Sequence, residues 1–224
     1  MTAAMLGVFA WGTVVGLDLV SLPQMMLARP LVAGAGAGLL LGDVAAGLRL
    51  GVLFELFQFD ILPVGATRYP EYGPATVVAV AAAHAFAIPF GVGLATVVGL
   101  FTAMLGGLSL QVHRRINTRA ATAAAPALDA GDRGALVRLH VGGLGRDLLR
   151  GAAVTAAGLA LAMLTREFVV PALSHRGERL LSVAATGAAL AAGAAGTLRI
   201  VGRGPGLRWL AAGLTGGILA AWLA

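Results

Sequence analysis

A few acidic and amide side chains interrupt the apolar N-terminal third of this chain, and their chemistry suits a hydroxyl-bearing ligand. Glu55 lies in the apolar run GVLFELF, and Gln58 and Asp60 follow it by three and five residues. An ionised carboxylate accepts hydrogen bonds from two hydroxyl groups at once. An unpaired charge in lipid is too costly to be incidental, so Glu55 belongs in the protein interior. We predict that Glu55 binds ligand hydroxyls, the alternative being a buried structural pair with Arg49 or Arg68.

Four polar residues on either side of this run complete the candidate site. Asp18 lies near the end of the first apolar run, where it lines the ligand site, is an interfacial carboxylate, or is a helix-terminus partner of Arg29. Gln24 is a neutral candidate in the segment that follows. Arg68 and Glu71 lie in a polar loop, where they either approach the ligand or form a solvated pair.

Helical spacing ranks the two residues that follow Glu55. Residues three apart are neighbours on a helix, so Gln58 is predicted to share the face of Glu55, whereas Asp60 is not. Asp60 remains a candidate but is explained better as an interfacial group. The aromatic residues of the same run offer ring faces for stacking, although core packing is their default role: Phe54, Phe57 and Phe59.

The composition places these side chains in a membrane protein. Of 224 residues, 58% are hydrophobic and only 12% are charged, whereas a soluble domain carries about 25% charged residues. The absence of cysteine excludes disulfides and thiolate metal sites. We expect no cofactor, metal or nucleic acid, because no motif for any of them occurs.

The apolar runs predict an all-α, polytopic integral membrane protein with about seven spanning helices. Within residues 31–60 the two apolar runs, Leu31–Leu41 and Leu50–Phe59, are each about half of the roughly 20 residues that a spanning helix needs, and Glu55 interrupts the second. We therefore predict a pair of broken or re-entrant helices that turn near Gly42-Asp43. Small residues spaced by four let helices approach closely, and they occur at Gly34/Gly38, Gly47/Gly51 and Gly12/Gly16.

One long polar segment, residues 113–150, divides a single transport domain spanning residues 1–224. Residues 1–112 form its N-terminal helices and residues 151–224 its C-terminal helices. The segment carries seven arginines and is predicted to be cytoplasmic by the positive-inside rule, with two amphipathic helices joined by a linker at Ala120–Asp132. Its arginines suit anionic lipid or an acidic partner protein.

The spacing of Arg29-Pro30, Gly42-Asp43, Glu55, Gly65 and Pro70 resembles one bacterial family. It is similar to the membrane subunit IIC of mannose/sorbose-type phosphotransferase systems. The resemblance runs through residues 29–71 and resumes at residues 117–150. In that family Trp or Gly is common near the position of Asp60, so the chain departs from the pattern there.

The resemblance implies a sugar-translocating subunit in the bacterial inner (plasma) membrane. Its substrate would be a hexose, hexosamine or ketose, and its partners would be a membrane subunit IID and soluble phosphocarrier subunits IIA and IIB, in an oligomer. The soluble subunits carry the phosphoryl group in such systems, so the chain is not expected to be an enzyme with its own phosphorylated residue. His113 and His140 are accordingly not expected to be phosphohistidines.

An alternative of a different class remains open. The same residues fit a non-transporting membrane scaffold or regulatory relic, which keeps the fold and recruits a soluble partner through the arginine-rich segment. The two differ in whether membranes that carry the chain and its partners take up sugar.

Overall fold

The computed structural model describes residues 3–23, 25–61, 68–87, 92–202, 204 and 206–223. Within these ranges all regular secondary structure is helical, which confirms the all-α prediction. The helices are α1 (Ala3–Asp18), α2 (Pro30–Leu41), α3 (Val44–Phe59), α4 (Tyr72–Phe86), α5 (Val92–Asp129), α6 (Arg133–Phe168), α7 (His175–Val201) and α8 (Gly206–Leu223), with a 3₁₀ turn at Val170–Ala172.

The predicted pair of short helices within residues 31–60 is confirmed as α2 and α3. Helix α2 begins with Pro30 in its first turn and ends where Gly42 adopts a left-handed conformation, with φ of 77°. Asp43 then caps α3, since its side chain accepts a hydrogen bond of 2.9 Å from the Ala46 N–H. A left-handed glycine followed by an Asp cap stops one helix and starts the next within two residues.

Glycines hold α2 and α3 in direct backbone contact. A Cβ added to Gly38 would lie 2.6 Å from the Asp43 carbonyl oxygen, and one added to Gly47 would collide with the Gly34 carbonyl oxygen. A Cβ on Gly51 would lie 3.0 Å from the Pro30 carbonyl oxygen. The small-residue spacing therefore serves the close helix contact that the sequence predicted.

Helix α4 lies at the centre of the helices and packs against α1, α2, α3, α5 and α6. Its residues 75–82 are 0–1% exposed, as expected of a helix that is apolar all round. Helix α1 packs on α6 through its own glycines, since a Cβ on Gly12 would lie 2.6 Å from Thr155 Cγ2 and one on Gly16 would lie 3.2 Å from Gly151 Cα.

Three helices in the described ranges are long and apolar enough to cross a membrane: α5, the segment Arg133–Ala172 that includes α6, and α7. Residues 72–112 divide between α4, which ends at Phe86, and α5, which begins at Val92.

The predicted linker at Ala120–Asp132 is wrong for most of its length. Helix α5 continues to Asp129 with Pro126 inside it, and only Ala130, Gly131 and Asp132 separate it from α6. Alanine is the best helix former, and five of the residues 120–125 are alanine. Together with packing of α5 against α6, this propensity outweighs the break that Pro126 would otherwise cause.

Candidate functional site

A cavity of about 340 Å³ opens where α1 ends, α3 ends and α4 begins. Its volume is at the lower end of the roughly 300–1,000 Å³ of small-molecule sites. Its polar lining combines carboxylate, guanidinium, amide and phenol groups: Asp18, Arg29, Gln58, Tyr69, Glu71 and Tyr72. Three candidates from the sequence, Asp18, Gln58 and Glu71, therefore meet at one cavity.

Asp18 is a buried residue that shapes one wall of the cavity. Its side chain accepts hydrogen bonds from the backbone N–H groups of Met25, at 2.7 Å, and Ala28, at 3.1 Å. Asp18 is 2% exposed, and it is not the partner of Arg29, which pairs with Glu55. Met26, also in this wall, has φ of 65°, a conformation that costs a non-glycine residue about 1–3 kcal/mol. The Asp18 bonds hold this strained turn in place.

Glu55 lies directly behind Arg29. Its carboxylate forms an ion pair with the Arg29 guanidinium and also accepts a 3.3 Å hydrogen bond from the Leu31 N–H at the start of α2. The Glu55 side chain is 8% exposed, whereas the Arg29 side chain is 40% exposed. Glu55 is thus buried as predicted, but its partner is Arg29 and not Arg49 or Arg68, and Arg29 is the member of the pair that lines the cavity.

Glu71 forms a buried bidentate pair that the sequence reasoning missed. Arg150 Nη1 donates to Glu71 Oε2 at 2.6 Å, and Arg150 Nη2 donates to Glu71 Oε1 at 3.0 Å. Arg150 also donates to Asp147 Oδ1 at 2.7 Å and to the Gly16 carbonyl oxygen at 2.9 Å. The solvated pair expected of Glu71 and Arg68 is therefore wrong, because Glu71 is 3% exposed and its partner lies on α6.

The remaining candidates lie at different places. Gln58 lines the cavity, whereas Glu55, three residues before it, is not among the described lining residues. Asp60 pairs with Arg199 at 2.8 Å and keeps 42% of its side chain exposed, in line with an interfacial group. Arg68 is exposed, and Gln24 lies outside the described residues.

Three aromatic residues line part of the cavity: Phe59, Tyr69 and Tyr72. Tyr72 packs against Phe57 and Phe54, with ring centroids 6.2 and 5.9 Å apart, and Phe54 is fully buried. Phe59 is 44% exposed and lines the cavity together with Tyr69. Phe54 is thus a core residue, whereas Phe59 and Tyr69 offer surface to a ligand.

The combination of groups determines what the cavity can bind. Arg29 and Gln58 supply donors, Gln58 and the carboxylates supply acceptors, and the rings supply flat apolar surface. In the part of the chain that the structure describes, no three His, Asp or Glu side chains are grouped to hold a metal ion. The arrangement suits a neutral ligand with several hydroxyls and one apolar face.

Comparisons with known proteins agree on one family. The family model EII-Sor, described as the sorbose-specific IIC component of the phosphotransferase system, matches residues 1–219. A solved structure described as "Structure of membrane protein" covers 100% of this chain and 95% of its own, with a TM-score of 0.76. At 20% identity, that likeness supports the fold alone.

Two curated relatives carry names of the same kind. The sorbose-specific EIIC component of Lacticaseibacillus casei is 35% identical over 71 residues, which is 32% of this chain and 25% of that protein. The mannose-specific EIIC component of Escherichia coli (strain K12) is 28% identical over 146 residues, which is 65% of this chain and 54% of that protein. The chain thus spans about half or less of the length of these relatives. Since the family model matches almost the whole sequence, the chain belongs to the mannose/sorbose-type IIC components of the phosphotransferase system, a family of membrane transport subunits.

Proposed function

We propose that this chain binds and translocates a sugar for phosphorylation by soluble subunits of a phosphotransferase system. The observation that carries the proposal is the 340 Å³ cavity, which Arg29, Gln58 and aromatic rings line and behind which Glu55 lies. A sugar presents hydroxyls around its edge and apolar C–H groups on its faces. These match the polar groups and rings of the cavity.

The Arg29–Glu55 pair is the part of the cavity suited to recognition. Arg29 reaches the cavity, and Glu55 accepts hydrogen bonds from Arg29 and from the Leu31 N–H. A sugar that donates a hydroxyl to Glu55 would share this carboxylate with Arg29, while Gln58 would complete the contacts. Asp18 and Glu71 shape the cavity, because their oxygens are engaged by backbone N–H groups and by Arg150.

Family membership supports a wider proposal. We place the chain in the bacterial inner membrane as a multi-pass, single-domain subunit, with residues 113–150 on the cytoplasmic side. Its partners would be a membrane subunit IID and soluble subunits IIA and IIB, which would carry the phosphoryl group in place of any residue here. The substrate would be a hexose, hexosamine or ketose.

Uptake by reconstituted membranes tests the proposal. Vesicles that contain this chain, its membrane partner and the soluble subunits should accumulate at least one labelled sugar from a panel of hexoses, hexosamines and ketoses. Vesicles without this chain are the control. Failure to take up any sugar of the panel, with all subunits folded, would reject the transport proposal.

The scaffold alternative also has an observation in its favour. The ends of α5 and α6 present exposed arginines that suit an acidic partner: Arg115, Arg119, Arg133 and Arg138. A scaffold would bind a soluble subunit through these arginines while showing neither sugar binding nor uptake. Pull-down of the soluble subunits, run beside the uptake assay, separates the two functions.

A further inference from the structure

A second cavity, of about 330 Å³, lies between the residues after α1 and the polar parts of α5 and α6. It is separate from the first cavity, since Asp18 and Leu19 line the first and Val20 and Ser21 line the second. Its polar lining is basic or neutral, and no carboxylate is among the described lining residues: Ser21, His113, Asn117, His140 and Arg146. A cavity with this lining favours an anion.

Arg146 lines the cavity, and its guanidinium group is only partly engaged by the described residues. Its Nε donates to Asn117 Oδ1 at 2.7 Å. Within the described ranges no hydrogen bond from its two Nη groups is found. Gly142 leaves room beside them, because a Cβ at Gly142 would lie 3.1 Å from Arg146 Nη1. Paired Nη groups are the donors that bind phosphate oxygens in a bidentate manner.

The contact with Asn117 indicates which ring nitrogen of His113 carries the proton. Because Asn117 Oδ1 accepts from Arg146, the Asn117 Nδ2 group is the donor in its 2.8 Å contact with His113 Nε2. A neutral imidazole that accepts at Nε2 carries its proton on Nδ1. His113, which is 5% exposed and lines the cavity, therefore carries its N–H donor at Nδ1.

The nearest carboxylate, that of Asp147, is not among the described residues that line the cavity. Asp147 is fully buried, and it accepts hydrogen bonds from Arg150 Nε at 2.7 Å and from Ser21 Oγ at 2.5 Å. His113 Nε2 lies 3.8 Å from Asp147 Oδ1. Asp147 thus lies behind the lining residues, where Arg150 and Ser21 engage its oxygens.

We propose that this second cavity binds a phosphate monoester of sugar size, with its phosphate on Arg146 and His113 and with His140 at the rim. The inference rests on the proposed transport function, in which a phosphorylated sugar is the product that leaves the system. Two observations support that class of ligand over a bare anion. The two cavities have nearly equal volumes, and the apolar side chains of Val20, Leu139 and Leu144 line the second beside its donors.

The test is a binding titration of the purified chain in nanodiscs of zwitterionic lipid. The probes are inorganic phosphate, a hexose 6-phosphate and the free hexose. We expect both phosphates to bind, the hexose phosphate more tightly, and Arg146→Gln to weaken both by roughly tenfold or more. The control is Arg138→Gln, which removes a 73%-exposed arginine of the same helix that pairs with Asp132 and should change neither affinity. His140→Ala alters an exposed rim residue, should fold normally, and should weaken binding by a smaller factor.

Each outcome decides the proposal. Absence of phosphate binding, or binding that neither Arg146→Gln nor His140→Ala alters, would overturn it. Nanodiscs that contain phosphatidic acid identify a lipid source, because retention of that lipid without displacement by hexose phosphate would assign the cavity to a lipid headgroup. Free hexose that binds while both phosphates do not would reject this site and leave the sugar cavity standing. Binding of both phosphates without the free hexose would keep this site and leave the sugar cavity to the uptake panel.

Discussion

Two arginine–glutamate pairs border the first cavity, and they are built differently. In one, Arg29 is 40% exposed and forms its ion pair with Glu55. In the other, the side chains of Arg150 and Glu71 are 6% and 2% exposed, and Asp147 and the Gly16 carbonyl oxygen share the guanidinium. A pair closed to solvent and saturated with partners stabilises the fold, whereas a pair with one accessible member can exchange partners with a ligand.

The largest effect is expected from removing the buried arginine. Arg150→Met leaves Glu71 and Asp147 uncompensated in the interior, and breaking such a buried pair costs about 3–5 kcal/mol. The folded fraction after detergent extraction and the Tm should both fall sharply. Removing both charges of the other pair, with Arg29→Met and Glu55→Gln together, leaves no unpaired charge and should cost much less.

A charge-matched variant sharpens this comparison. Arg150→Met combined with Glu71→Gln and Asp147→Asn removes the unpaired charges and should recover part of the lost Tm. If Arg150→Met alone has the wild-type Tm, the Arg150 network is not the structural pair that the comparison requires.

The next effect concerns ligand binding at the exposed pair. Glu55→Gln keeps the shape of the side chain but removes its charge, and a hydrogen bond to a charged group is worth about 1.5–3 kcal/mol. Sugar affinity should therefore fall by roughly ten- to 150-fold while folded yield stays normal. Titration calorimetry with the transported sugar measures the first quantity and size-exclusion chromatography the second.

Asp60→Asn is the matched control, since Asp60 pairs with Arg199 and does not line the cavity. It should leave sugar affinity unchanged. Loss of folded yield in Glu55→Gln that Arg29→Met then rescues would make the Arg29–Glu55 pair structural and remove the contrast with Arg150.

A third variant tests whether the α2–α3 hairpin positions the exposed pair. Gly47→Ala places a methyl group against the Gly34 carbonyl oxygen and 3.0 Å from Gly38 Cα, and such overpacking typically costs about 1–3 kcal/mol. The Tm and sugar affinity should both fall, because Arg29 and Leu31 flank the start of α2. Gly187→Ala on α7 is the control, since its Cβ would meet nothing within 4 Å. Equal Tm values for the two variants would contradict the proposed close contact.

The parts of the fold that the sequence predicted carry their signals locally. The α2–α3 hairpin was predictable because glycine spacing, short apolar runs and Gly42-Asp43 all lie within thirty or so residues. Glu55 was predictable as a buried group because a carboxylate in an apolar run must be shielded from lipid. The extent of α5 was not, because the helix propensity of its alanines and its contact with α6 outweigh Pro126.

Partner choice was the part of the site that could not be predicted. Glu71 and Arg150 are 79 residues apart in the chain, and nothing near either residue specifies the other. Arg49 and Arg68 are the nearest arginines to Glu55 in the sequence, one before it and one after it, yet the turn held by Asp18 brings Arg29 to it instead. The Asp147–Arg150 spacing of three on one helix was the available clue to a charged cluster, because such residues are neighbours.

The smallest effect is expected far from both pairs, at the start of α6. Asp132 caps this helix by accepting hydrogen bonds from the N–H groups of Ala135, at 3.1 Å, and Gly134, at 2.7 Å. The Ala135 bond in particular, with the Gly134 bond and the nearby Arg138, lowers the pKa of Asp132 below its ordinary value of 3.8. A lowered pKa in the folded state means that the cap stabilises the folded protein fully above the pKa of the unfolded state. This contribution is lost as the pH falls through the pKa of the folded state.

The ¹³C resonance of the Asp132 carboxyl group should therefore titrate below 3.8, and Asp132→Asn should remove that pH dependence while keeping an acceptor for the helix. Sugar affinity should not change in this variant, because Asp132 lines neither cavity. A titration at or above 3.8 would show that the cap does not hold the charged carboxylate in the way the structure shows.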